Sequence, residues 1–195
     1  MLFPAGRTTG MNNVLYLQYL QAGGQPPSSS DLDVRALTNT LQFYERALSA
    51  GIVDSFLLNY NAPADYVNLF RDDEFDVAVV DSTTYMQLVQ DEPDLKAAPV
   101  PTAAGATSTL LNGWIWALTT TDPDRQALAM TYLNWMNDAD RQGEYAAAVS
   151  QLPSQRPALE RYFRGRIDIE FFDDLIENET LPLIESDGGT LARVM

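Results

Sequence analysis

Residues 110–136, LLNGWIWALTTTDPDRQALAMTYLNWM, decide how this chain is read. Leu110 to Leu118 are mostly apolar and aromatic. Strand alternation sets Trp114 and Trp116 on one face, Ile115 and Ala117 on the other. Asp122-Pro123 is a helix start: the carboxylate can accept from free backbone N–H groups, and a proline at the first helical position loses no hydrogen bond. Ala129, Tyr132, Leu133 and Met136 then fall at i, i+3, i+4 and i+7, a stripe expected to face a core. Two tryptophans in a strand beside Gly113 suit either buried packing or a surface on which a ligand stacks.

Upstream, the pattern predicts a helix from about Thr9 to Ala22, stopped by Gly23-Gly24, then the loop QPPSSS. A second helix is expected from Asp31 or Asp33 to Ala50, with Leu37, Leu41, Tyr44 and Leu48 as its apolar seam and Gly51 as its left-handed end. Asn61-Ala62-Pro63 opens a third helix carrying Tyr66, Val67 and Phe70. FDVAVV, Phe75 to Val80, reads as a buried strand from its β-branched run. It leads directly into Asp81-Ser82-Thr83-Thr84, a helix N-terminus, the place where open α/β sheets present ligand contacts. Leu95 to Val100 is a further candidate strand. Downstream, helices are expected after Asp138, Pro157 and Asp168. Strands alternating with helices give an α/β class.

With 195 residues the chain can bury one sizeable core or build two modest lobes. Its formal charge of −15 argues against nucleic acid and anionic lipid, which an acidic surface repels. The absence of cysteine and histidine excludes disulfides, thiol catalysis and a Ser-His-Asp triad, and removes the commonest general base and metal ligand. No run approaches the roughly 18 apolar residues of a membrane-spanning helix. The opening MLFPAGRTTGMNN lacks the layout of a secretory signal peptide, which leaves open a cytoplasmic chain or one without its targeting segment.

Asp72, Asp73, Glu74 and Asp76 lack the spacing and turn glycine of a calcium loop and read as a solvated turn. Glu170, Asp173, Asp174 and Glu177 read as a solvated helix face, since nothing places a second carboxylate opposite them. The glycines form neither a dinucleotide fingerprint nor a P-loop, so no cofactor is implied. Ser82, Thr83 and Thr84 can hold a polar ligand or simply cap their helix.

The order of the pieces carries more than any single one. LTNTLQFYERALSAGIV is followed by RDDEFDVAVVDSTTYMQL and KAAPVPTAAG, then by residues 110–146 and SQLPSQRPAL. This succession, from about Phe3 to Leu159, resembles the back half of family 1 extracellular solute-binding proteins. These are the maltose-binding-protein-like, ligand-capturing subunits of bacterial ABC importers. The resemblance implies a type II periplasmic-binding-protein lobe: helices around a small mixed sheet, with residues 1–99 and 152–195 in lobe two and residues 100–151 as a strand-helix-helix piece of an incomplete lobe one. It implies a non-enzymatic protein that captures a solute in a cleft, carbohydrate for many members, and hands it to a membrane permease outside the cytoplasm. Carried over by position, Ser82, Thr83, Thr84 and Tyr85 correspond to the cleft-facing turn, and Asn112, Gly113, Trp114 and Trp116 to the strand facing it. FDVAVVDSTTY departs from the family's glycine-containing form, which leaves Tyr85 as the nearest stacking aromatic.

The family's first section and closing helix have no counterpart here, so the chain reads as a fragment. A strand carrying two tryptophans without its sheet is expected to fold back, swap, or pair in a dimer, and ligand binding is expected to be weak. Two other readings stand beside this one. A carboxylate-based sugar-active enzyme would need acidic residues roughly 5–10 Å apart across a cleft. An interaction domain would show no ligand cleft.

Overall fold

Several helices in this chain begin where a side-chain oxygen takes the first free amides. In the computed structural model, which describes residues 1–6, 12–26, 32–72, 74–103, 105, 108–113, 116–178 and 180–182, Asn12 Oδ1 accepts from the Leu15 amide at 3.1 Å and starts α1, Asn13–Gln21. The expected start at Thr9 lies outside the described residues. Asp33 accepts from Arg35 and Ala36 and starts α2, Val34–Ser49. Gly23 and Gly51 follow these helices with φ of 93° and 69°, the left-handed geometry that glycine adopts without a Cβ penalty.

After 3-10 turns at Ser55–Asn59 and Pro63–Asp65 come α3, Val67–Arg71, and α4, Ser82–Asp91. Asp122 caps α5, Pro123–Met136, through the Asp124 and Arg125 amides; Asp138 caps α6, Ala139–Ala148, in the same way. The last two helices are α7, Arg156–Phe163, and α8, Ile169–Asn178, with Asp168 accepting from the Phe171 amide at 3.0 Å. Among the described residues the sheet is one parallel pair. β1, Thr109–Leu111, runs beside β2, Thr180–Pro182, in the register Thr109–Thr180, Leu110–Leu181, Leu111–Pro182. The protein is therefore mostly helical.

Two compact units divide the chain. The first comprises Met1–Asp81, Ala98–Leu111 and Leu175–Met195. Its core joins Leu2, Phe3, Ala47, Val53, Leu57 and Tyr66, and a second cluster of Tyr16, Tyr19 and Ala36 takes in Leu110. The Tyr66 hydroxyl donates to the Val79 carbonyl. The other unit comprises Ser82–Ala97 and Asn112–Asp174. It buries Tyr85, Met86, Leu88 and Val89 of α4, and α6 packs on α7 along Ala146, Ala158 and Leu159.

Several expectations change. The strand expected over Leu110–Leu118 is confined to β1: residues 112, 113 and 116–121 are irregular, because β2 supplies a pairing partner only as far as Leu111. FDVAVV is not a buried strand. It makes one bridge, Ala78 to Leu2, through Leu2 N–H to Val77 O and Val79 N–H to Leu2 O at 2.8 Å each, and Val77 is exposed. Leu95 to Val100 forms no strand. On α2 the buried residues are Ala36, Thr40 and Ala47: Ala36 clusters with Tyr16 and Tyr19 of α1, and Ala47 with Leu2, Phe3 and Leu57. Leu37 and Tyr44 are half-buried, while Leu41 and Leu48 stay exposed. On α5 no residue is buried: Ala129, Leu133 and Met136 are half-covered, and Tyr132 is exposed.

Gly143 tests the α6–α7 contact. A Cβ built there would stand 2.0 Å from Cδ2 of the Tyr162 ring, whereas one at Gly113 meets nothing within 4 Å. Gly143→Ala is expected to cost about 1–3 kcal/mol. That lowers the melting temperature by roughly 3–10 °C in calorimetry. Gly113→Ala should leave it within about 2 °C of the parent, the ordinary range for an open surface position.

Candidate functional site

The residues singled out for ligand contact fall, where described, in the unit comprising Ser82–Ala97 and Asn112–Asp174. Ser82, Thr83 and Thr84 form the first turn of α4 and are half-buried. Tyr85 follows them with only 6% of its surface open, its ring 5.6 Å from that of Phe172 on α8. Burial raises its hydroxyl pKa above the ordinary 10.0, and the negative charge of Asp168 raises it further. Tyr85 thus holds α4 to α8, with its ring taken up by Phe172.

Asn112 and Gly113 lie exposed just past the end of β1, and the open space around Gly113 leaves its backbone approachable. Trp114 lies outside the described residues. Trp116 is 63% exposed and stands edge-on to Tyr132, centroids 6.3 Å apart at 88°. Tyr132 stacks on Trp135 at 6.1 Å and 25°, and the Arg141 guanidinium lies 4.3 Å from the centre of the Trp135 ring. Such a column gains dispersion, quadrupole and cation–π attraction while leaving ring edges in water.

Beside it is an open depression of about 600 Å³ lined by Thr119, Thr120, Thr121, Arg125 and Ala129. Its wall is tied down locally. The Thr120 hydroxyl accepts from the Asp122 amide at 3.2 Å, and its carbonyl accepts from Gln126 Nε2 at 2.7 Å. The surface therefore combines an aromatic edge, hydroxyls and the two cations Arg125 and Arg141, a set suited to a polar solute with an apolar face.

Sequence reasoning placed Trp116 here but missed Tyr132, Trp135, Arg125 and Arg141. The i, i+3 spacing of Tyr132 and Trp135 is the available signal, whereas the sequence reading sets Tyr132 in a core stripe with Ala129, Leu133 and Met136. Among the described residues no ring contact joins Tyr85 to Trp116: one packs on α8, the other on α5.

Of the acidic residues singled out in the sequence, Asp173 pairs with Arg156 at 2.9 Å; Arg156 also pairs with Glu160 at 2.9 Å, and Arg161 pairs with Asp140. Among the described residues no group of three or more acidic side chains is arranged to hold a metal ion, and no helix is long and apolar enough to cross a membrane.

A mostly helical chain with an open, aromatic-edged surface fits the class of small-molecule binding proteins. Residues 4–161 match the family described as bacterial extracellular solute-binding protein, and the chain belongs to that family. Comparison with curated proteins and with solved structures found no match.

Alkaline pH tests the buried tyrosines. Tyr66 and Tyr44, like Tyr85, are raised by burial, and Tyr66 additionally by the charges of Asp81 and Asp65. Their folded-state pKa values exceed the unfolded value of 10.0, so their contribution is complete below pH 10 and is lost as pH rises through the folded values. Denaturant stability is expected to fall steadily above about pH 10. Tyr85→Phe should flatten that fall, and an equal slope in parent and variant would show that Tyr85 ionises alike in both states.

Proposed function

We propose that this chain is the solute-capturing component of a bacterial ABC importer, with carbohydrate as its solute. In this reading it binds without changing bonds, outside the cytoplasm, and delivers to a membrane permease. Family membership supports the solute-binding role. The observation that carries the carbohydrate assignment is Trp116, largely open and set against Tyr132 beside threonine hydroxyls and Arg125. Aromatic rings cover the apolar faces of sugars while polar groups hold the hydroxyls.

The reading takes the type II arrangement, with residues 1–99 and 152–195 as lobe two and residues 100–151 as a piece of lobe one. Ser82, Thr83, Thr84, Tyr85, Asn112, Gly113, Trp114 and Trp116 then border the cleft: the hydroxyls bond the solute, Gly113 admits it to the backbone, and the indoles stack.

Titration calorimetry against a panel of mono- and oligosaccharides is the test. Millimolar binding by at least one sugar is expected, weakened about 3- to 10-fold by Trp116→Ala, the magnitude of one lost ring contact. Heats absent for every sugar, or a Trp116→Ala protein that binds like the parent, would overturn the carbohydrate assignment.

A further inference from the structure

We infer that Asn112 is a self-modifying position: in the folded chain its side chain cyclises onto the Gly113 backbone, releases ammonia and becomes aspartate or isoaspartate.

The sequence contributes the pairing. Of the ten asparagines, Asn112 alone is followed by glycine. Ring closure needs the backbone nitrogen of the next residue to reach the asparagine Cγ, and a Cβ on that next residue stands in the way. Glycine has none, and its backbone turns freely into the geometry that closure needs.

The fold leaves this pair unhindered. Asn112 and Gly113 follow Leu111, the last paired residue of β1, and both are exposed. Among the described residues no hydrogen bond holds the Asn112 side chain or the Gly113 N–H. A Cβ built on Gly113 meets nothing within 4 Å, so the peptide unit has room to swing. Other asparagines are held. Asn12 accepts from the Leu15 amide at 3.1 Å and donates to the Pro4 carbonyl at 2.8 Å. Asn39, Asn68 and Asn134 lie within helices, where the following N–H donates to the preceding turn.

The reaction needs only water. Hydroxide takes the Gly113 amide proton, and the nitrogen forms a bond to Asn112 Cγ. The bond from Cγ to the side-chain nitrogen breaks, and that nitrogen leaves as ammonia after taking a proton from water. Water then opens the cyclic imide. Breaking the new bond to Cγ leaves aspartate; breaking the original peptide bond leaves isoaspartate, with Cβ inserted into the main chain. Nothing is oxidised or reduced.

Both products add one negative charge to a chain of formal charge −15. The change falls just past the Leu111–Pro182 pair, so the register of β1 and β2 stands. In the reading proposed above Asn112 borders the solute, and an amide that donates and accepts becomes a carboxylate that only accepts. The chemistry itself is independent of that reading.

Mass spectrometry of the native chain, incubated for several days in mildly alkaline buffer at body temperature, is the test. Tryptic cleavage frees residues 97–125, which contain no other asparagine. Against an unincubated sample this peptide should gain about 1 Da, the difference between a side-chain amide and a carboxyl. It should separate into an aspartate and an isoaspartate form. Gly113→Ala should slow the gain at least about tenfold, because the added Cβ obstructs closure. The full chain held unfolded in guanidinium chloride reports the unprotected rate, and the native chain should match it within about threefold, as a site free of structural protection does. A native chain in which Asn112 stays amidated, or changes more than about tenfold slower than in the unfolded chain, would overturn the inference. So would a Gly113→Ala protein that gains mass as fast as the parent.

Discussion

The first amides of a helix have no partner within it, and this chain answers that constraint again and again with a carboxylate. Asp33, Asp122, Asp138 and Asp168 each accept from backbone N–H groups at a helix start, and Asp54 does so at a 3-10 turn. Each places negative charge at the positive end of a helix dipole. The acidity of the sequence is thus partly structural: some of the charge that keeps nucleic acid away also fixes where helices begin. With one short strand pair among the described residues, these caps set the boundaries of most of the regular structure.

Features decided within a few residues were legible in advance. Asp122-Pro123, Asp138 and Asp168 start helices where expected, and Gly23 and Gly51 end them in the left-handed conformation. Features decided by a distant partner were not. FDVAVV has the composition of a buried strand, yet among the described residues the only strand-like partner of its backbone is Leu2, so it stays a single bridge. The large residues predict the α2 seam, whereas the buried positions are Ala36, against Tyr16 and Tyr19 of α1, Thr40, and Ala47, against Leu2 and Phe3, where short side chains leave room. Burial responds to what approaches a helix, and periodicity alone does not specify which part of an apolar arc that will be.

The same distinction divides the candidate site. Trp116 is singled out in the sequence because strand alternation puts it on one face with Trp114, and it is open to solvent. Tyr85 was picked for its place after a helix start, but Phe172, far along the chain, determines that its ring is packed. Tyr132 has a spacing that suits a core, but among the described residues no element covers it, so the residue joins the surface. Arg141 over Trp135 depends on the turn between α5 and α6, a geometry with no mark in the local sequence.

The stacking of Tyr132 between Trp116 and Trp135 has an optical consequence. A phenol within 7 Å of two indoles passes its excitation to them, so ultraviolet light absorbed by Tyr132 emerges as indole emission. Both indoles bear against the Tyr132 ring and remain about half or more open to water, Trp135 with the Arg141 guanidinium over its ring as well, which makes their colour sensitive to whatever displaces that water. The surface carries its own dye.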